Sequence, residues 1–220
     1  MSAESAVASR LDIDFYLDVV CPWCWIGVRN LRTAIRAMQD RRPALTPQVA
    51  WHAEPLLPNI PDQGVDFQAF YLARLGSAQA VGARRAQVNA VAKSVGLQID
   101  FDAIDTFPNS RLACALINSA QASLTTERVF ELVESLYAAF FVHNLNIGQP
   151  DVLKPLALAA GVPWAPERLA AQPHGGHPPA GGVPHVEFNG QQALTGAVPV
   201  ADLLQAMVRA MAVAPRQTAH

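Results

Sequence analysis

Leu11-Asp-Ile-Asp-Phe-Tyr-Leu-Asp-Val-Val-Cys-Pro-Trp-Cys24 is the stretch that decides the fold. Residues 11–20 are rich in β-branched and aromatic side chains and read as a buried strand. From Trp25 to Gln39 the pattern changes to an amphipathic helix. Val28, Leu31, Ile35 and Met38 recur at three- and four-residue steps, and Arg29, Arg32 and Arg36 take other positions. Pro22 suits the first helical turn, where its missing N–H costs nothing. Cys21 and Cys24 therefore sit at a strand-to-helix junction. The helix N-terminus offers unsatisfied N–H groups and the positive end of a dipole, which favour a thiolate on the first sulfur. Two thiols at this spacing suit reversible disulfide chemistry. Neither Pro22 nor Trp23 sets a cation beside Cys21, so a middling redox potential is expected.

Composition narrows the field. The chain has 220 residues, half of them apolar, enough for a sizeable core, and one compact unit is the expectation. A formal net charge of −2 and only two lysines, Lys93 and Lys154, give no signal for nucleic acid or an anionic membrane. Residues 1–10 lack the basic and apolar regions of a secretory signal, and no apolar run of membrane-spanning length occurs. A cytoplasmic protein is expected. There, three cysteines make a catalytic or metal-binding pair more plausible than a structural disulfide framework.

Downstream, Thr46 to Ala53 reads as a second strand, and residues 62–171 read as helical. Phe67, Phe70 and Tyr71 mark one helix. A second runs through Val81, Val88 and Val95 to a cap at Gly96. A third contains Leu112 and Leu116, and a fourth runs from Phe130 to Phe141. A last helix spans Pro150 to Gly161, with Pro155 expected to kink or shorten it. Residues 172–182 form a Pro/Gly loop. Val183–Phe188 and Gln191–Thr195 then flank an Asn189-Gly190 hairpin turn, and a helix follows Pro199. The expected architecture is α/β. Residues 11–61 and 172–213 form the core with a mixed sheet, residues 62–171 an all-helical insertion, and residues 1–10 and 214–220 loose termini.

This order resembles the thioredoxin fold, and more narrowly its DsbA-like branch, in which helices interrupt the core. Asp18-Val-Val-Cys-Pro-Trp-Cys24 is similar to the opening of FrnE-type oxidoreductases. So are Thr106-Phe-Pro-Asn-Ser-Arg-Leu-Ala113, Phe140-Phe-Val142 with Asn146-Ile-Gly148, and Gly182-Val-Pro-His-Val-Glu-Phe-Asn-Gly190 with Thr195-Gly196-Ala197. The resemblance implies that Cys21 attacks and Cys24 resolves. It also implies a cis Pro184 lying against the disulfide and a Val183 that offers backbone groups to an extended substrate segment. Two positions depart from it: residues 172–182 replace a longer helical lead, and Cys114 stands where a histidine is expected.

The remaining candidates each carry two readings. Pro22 and Trp23 could contact substrate, or Trp23 could simply pack on Trp25 or neighbouring loops. Asp18 could accept the Cys24 proton, or be a polar strand end. Cys114 reads first as a core residue and second as a third redox thiol. Asn109, Ser110 and Arg111 could line the cleft, or the first two could cap a helix. His185 could face the active-site groove and favour the thiolate, or be an edge-strand residue. His174 and His177 share a loop too irregular to preorganise a metal, and no metal site is expected.

The function these residues point to is a thiol:disulfide oxidoreductase acting on protein or small-molecule disulfides or dithiols. No cofactor is expected, with glutathione a candidate co-substrate. No nucleic-acid or membrane partner is expected, and the oligomeric state is open. Two rivals stand. One is a glutathione-dependent isomerase or transferase of the 2-hydroxychromene-2-carboxylate isomerase or kappa-class type, against which the second thiol speaks. The other is a chaperone-like client-binding module built around Trp23 and Pro184.

Overall fold

Strand β1 (Arg10–Leu17) alternates buried Leu11, Ile13, Phe15 and Leu17 with half-buried Asp12, Asp14 and Tyr16, so one face meets a core and the other stays polar. The structure, a computed structural model, describes residues 10–172 and 181–212. Arg10, expected in the loose leader, already pairs with Thr46. Strand β2 (Thr46–Ala53) runs parallel to β1 and forms one edge of the sheet. The hairpin strands β5 (His185–Phe188) and β6 (Gln192–Thr195) lie antiparallel on the other side, giving the mixed order β2-β1-β5-β6. Asn189 and Gly190 both take positive φ, 51° and 61°, as a tight turn between right-twisted strands requires.

Helix α1 (Pro22–Arg41) packs on the Phe15 face of the sheet beside α8 (Val200–Ala212). The Asn30 side chain fixes this layer by donating to the Val198 carbonyl at 2.9 Å.

Between β2 and β5 the chain builds the helical insertion. Its helices are α2 (Phe67–Leu75), α3 (Ala78–Ala92), α4 (Arg111–Ala120), α5 (Thr126–Phe141), α6 (Pro150–Ala160) and the short α7 (Pro166–Ala170). Side-chain caps start three of them: Asp66 accepts from Ala69 N, Ser77 from Ala80 N, and Thr125 from Arg128 N. The insertion also holds a two-residue antiparallel ladder, β3 (Val65–Asp66) with β4 (Thr106–Phe107). Pairing this short leaves no periodicity in sequence. Helix α6 continues through Pro155, which is exposed and removes one backbone donor without stopping the helix.

Two contacts weld the insertion to the sheet layer. Side-chain amides of α4 and its C-cap complete the edge of β2: the C-cap Gln121 bonds both backbone groups of Trp51, and Asn118 both of Ala53, at 2.9–3.0 Å. They occupy groups that an open edge would present to another chain. On α1, Trp25 is buried and stacks on Tyr137 and Phe141 of α5. Arg29 pairs with Glu134 and donates to the Val95 carbonyl. The helix that carries the cysteine pair is thus held by both halves of the fold.

Candidate active site

Cys21 is the N-cap of α1, with extended backbone (φ −96°, ψ 110°), and Pro22 is the first helical residue. The Cys21 carbonyl accepts from Cys24 N at 3.0 Å, and its own N–H donates to the Asp18 carbonyl at 3.1 Å. Its side chain makes no capping hydrogen bond, so the sulfur is left to face a partner. Cys21 is half-buried, whereas Cys24, one turn on, is fully buried. All three cysteines are free thiols, so the pair stands in its dithiol form. Burial pushes the Cys24 thiol well above its ordinary pKa, and its hydrogen bond to Cys21 does so further.

Under this pair sits a buried carboxyl. Asp18 Oδ2 accepts from Leu56 N at 2.7 Å, and Oδ1 accepts from Val20 N at 3.2 Å and from Cys114 Sγ at 3.7 Å. Tyr137 of α5 donates to the Asp18 carbonyl at 3.1 Å. Burial outweighs these donors and raises the Asp18 carboxyl to about 6. Glu54, directly after β2, is also buried, with Oε1 lacking a partner among the described residues. Burial and the charge of Asp18 raise it to about 7. Sequence reading missed Glu54, whose neighbourhood with Asp18 arises only when β2 pairs with β1. Cys114 is fully buried, and burial, then the Asp18 charge, pushes its thiol well up. It is a core residue that touches Asp18.

The Val183–Pro184 peptide is cis, the geometry the resemblance implies. Pro184 is buried against Gly27 of α1, and its carbonyl accepts from Gly196 N at 2.8 Å. Val183 is half-buried and takes part in no hydrogen bond among the described residues.

Other expected site residues lie elsewhere. His185 pairs across the sheet with Tyr16, so its ring shares the Tyr16 face, opposite the Phe15 face on which α1 packs. Its ring nitrogens are engaged by Thr195 Oγ1 at 2.7 Å and Glu187 Oε1 at 3.2 Å, which fits an ordinary strand residue. Asn109 is buried and accepts from Arg111 N at 2.9 Å, a turn-forming role at the start of α4, while Arg111 is exposed. His174 and His177 lie outside the described residues. No cluster of three metal-ligating side chains occurs among those described.

Cys21, Pro22 and Trp23 open onto a pocket of about 410 Å³, within the size range of small-molecule sites. Trp23 is half-buried in its wall rather than stacked on Trp25. The other walls come from α2 and α3, with Phe70 and Tyr71 prominent, and from Leu56, Leu57, Phe101 and Phe107. Tyr71 is pushed up to about 12, chiefly by burial and then by Cys21, with Arg74 and Arg85 opposing. One side chain thus lies within electrostatic reach of both Cys21 and two guanidinium groups. A larger cleft of about 750 Å³ between β2 and α5 contains no cysteine.

Comparison with known proteins agrees with this geometry. A search of curated proteins finds no match. A solved structure described as a probable DsbA oxidoreductase, from Streptomyces coelicolor, superposes with a TM-score of 0.76 at 20% identity, covering 96% of this chain and 94% of that one. A 2-hydroxychromene-2-carboxylate isomerase structure gives 0.54 at 15% identity, covering 90% and 95%. The family model for the DSBA-like thioredoxin domain matches residues 12–172. With strand, cysteine pair and helical insertion all inside that match, the chain belongs to the DSBA-like thioredoxin domain family.

Proposed function

We propose that this protein is a thiol:disulfide oxidoreductase of the FrnE type, with Cys21 as nucleophile and Cys24 as resolving thiol. The observation that carries the reading is the asymmetry of the pair: one sulfur open to a pocket at a helix N-cap, the other buried and hydrogen-bonded to it.

In the cycle, the Cys21 thiolate attacks a substrate disulfide and forms a mixed disulfide as one substrate thiol leaves. Cys24 then loses its proton and attacks the Cys21 sulfur, which releases the second thiol and closes the Cys21–Cys24 bond. Asp18 is the proton acceptor for Cys24, since its buried carboxyl, raised to about 6, lies close enough to Cys24 to influence its charge. Among the described residues the backbone groups of Val183 make no hydrogen bond, which leaves them available to a bound substrate. No cofactor is required, and the proposed location is the cytoplasm.

Equilibration in glutathione buffers of graded potential, with thiols mapped by peptide mass, tests the reading. Cys21 and Cys24 should oxidise together as a two-electron couple, with Cys114 remaining a thiol. Oxidation of Cys21 to a stable glutathione adduct while Cys24 stays reduced would instead favour the isomerase-like reading that the chromene-carboxylate isomerase superposition raises.

A further inference from the structure

The pocket beside Cys21 has a charge pattern that dithiol chemistry alone does not need. Three arginines, Arg74 of α2 with Arg84 and Arg85 of α3, share its lining, and no lining residue is acidic. Arg85 is already committed, donating to Asp102 at 2.5 Å and to Gln68 at 2.6 Å. Its guanidinium also lies over the rings of Phe67 and Phe101. Arg74 and Arg84 have no carboxylate partner among the described residues. Two positive charges with no carboxylate partner among the described residues, one of them Arg74 over the Phe70 ring, therefore border a pocket whose remaining lining is mainly apolar and includes Phe70, Tyr71 and Phe107.

Building on the oxidoreductase reading, we propose that the substrates of Cys21 are disulfides of small thiols with an apolar body and an anionic group. The body fills the aromatic enclosure, and the anion is held by Arg74 and Arg84. The concave, apolar wall favours a compact molecule over a polar peptide segment. Charge complementarity selects an acid and speeds its encounter.

The chemistry balances. Cys21 forms a bond to one sulfur of the substrate RS–SR, the RS–SR bond breaks, and RS⁻ leaves with the electron pair and takes a proton from water. Cys24 gives its proton to Asp18 and its thiolate bonds to the Cys21 sulfur; the mixed-disulfide bond breaks, and the second RS⁻ leaves and takes a proton from solvent. The protein dithiol is oxidised by two electrons, and one disulfide is reduced to two thiols. The pre-reduced protein supplies both electrons, so a single turnover needs no other reductant.

The test is stopped-flow oxidation of pre-reduced full-length protein by two aromatic disulfides, dithiobis(nitrobenzoate), which carries a carboxylate on each ring, and neutral dithiodipyridine. Wild type is compared with the Arg74→Gln/Arg84→Gln double variant at low salt, and insulin reduction is measured in parallel. The ratio of the anionic to the neutral rate should fall roughly tenfold in the double variant, and added salt should lower the wild-type ratio. The neutral disulfide reports folding and Cys21 competence in the same samples. An unchanged ratio would overturn the substrate assignment and leave the oxidoreductase reading intact. Insulin reduction falling in parallel with the anionic rate would overturn it too, assigning the arginines to protein clients. Failure of both small disulfides to oxidise Cys21 in wild type would overturn the oxidoreductase reading with it.

Discussion

Pro184 rests so close to Gly27 that a methyl group on Gly27 would lie 3.1 Å from the proline Cγ and 3.2 Å from its Cβ, with the Phe15 ring at 3.4 Å. This contact joins the helix that carries the cysteines to the β5–β6 hairpin. Gly27 is needed here for closeness of approach.

Gly27→Ala should therefore act on both stability and activity. The added methyl has to displace Pro184 or Phe15 in a packed core, at a cost of about 1–3 kcal/mol. Urea unfolding should show a lower midpoint at unchanged slope. Disulfide exchange should slow, since Pro184 can no longer keep its distance from α1.

Asp18 gives the dithiol form a pH-dependent stability. Its folded carboxyl titrates at about 6, above its unfolded value. As pH rises from about 4 to 6, the unfolded chain releases this proton before the folded one does. Stability is thus fully present below that window and falls across it, by an order of 3 kcal/mol for this group. Asp18→Asn should flatten the slope measured by denaturant unfolding of the reduced protein. It should also lengthen the lifetime of the Cys21 mixed disulfide, since Cys24 loses its proton acceptor.

Glu54 behaves in the same sense at a higher pH. Raised to about 7, it disfavours the fold progressively between about pH 4.5 and 7. Glu54→Gln should match wild type in melting temperature near pH 5 and exceed it near pH 8. Equal differences at both values would show that Glu54 does not hold its proton in the folded state.

Cys114 donates to Asp18 and so helps keep that carboxyl ionised. Cys114→Ala should leave the protein able to turn over disulfides. The acidic limb of its pH–rate profile should move to higher pH, because the carboxyl has lost one of its donors. Loss of turnover would make Cys114 a redox thiol in its own right.

Much of this was legible in sequence because local pattern and final environment agree. The β2 boundaries, Thr46 and Ala53, follow from a run of strand formers between turn residues. Asn189-Gly190 specifies its turn through backbone preference alone. Cys21 and Cys24 announce themselves by spacing at a strand-to-helix junction. What stayed hidden depends on tertiary arrangement. The β3–β4 ladder pairs residues some forty positions apart for only two steps. The amides of Asn118 and Gln121 look like ordinary helix surface until β2 arrives beside them. Glu54 gains its meaning from Asp18 across the sheet, and Arg74 and Arg84 gain theirs from the walls that α2 and α3 raise around Cys21. His185 was ambiguous for the opposite reason: its neighbour Pro184 packs on the helix that carries the cysteines, but strand alternation sends the His185 ring to the other face.

The most direct measurement is intact-mass analysis of three proteins, wild type, Cys21→Ser and Cys24→Ser, each reduced and then offered an excess of a disulfide substrate. The mechanism predicts an intramolecular disulfide in wild type, a stable substrate adduct on Cys21 in Cys24→Ser, and neither product in Cys21→Ser. An adduct on Cys24 in Cys21→Ser, formed as fast as wild type reacts, would contradict it.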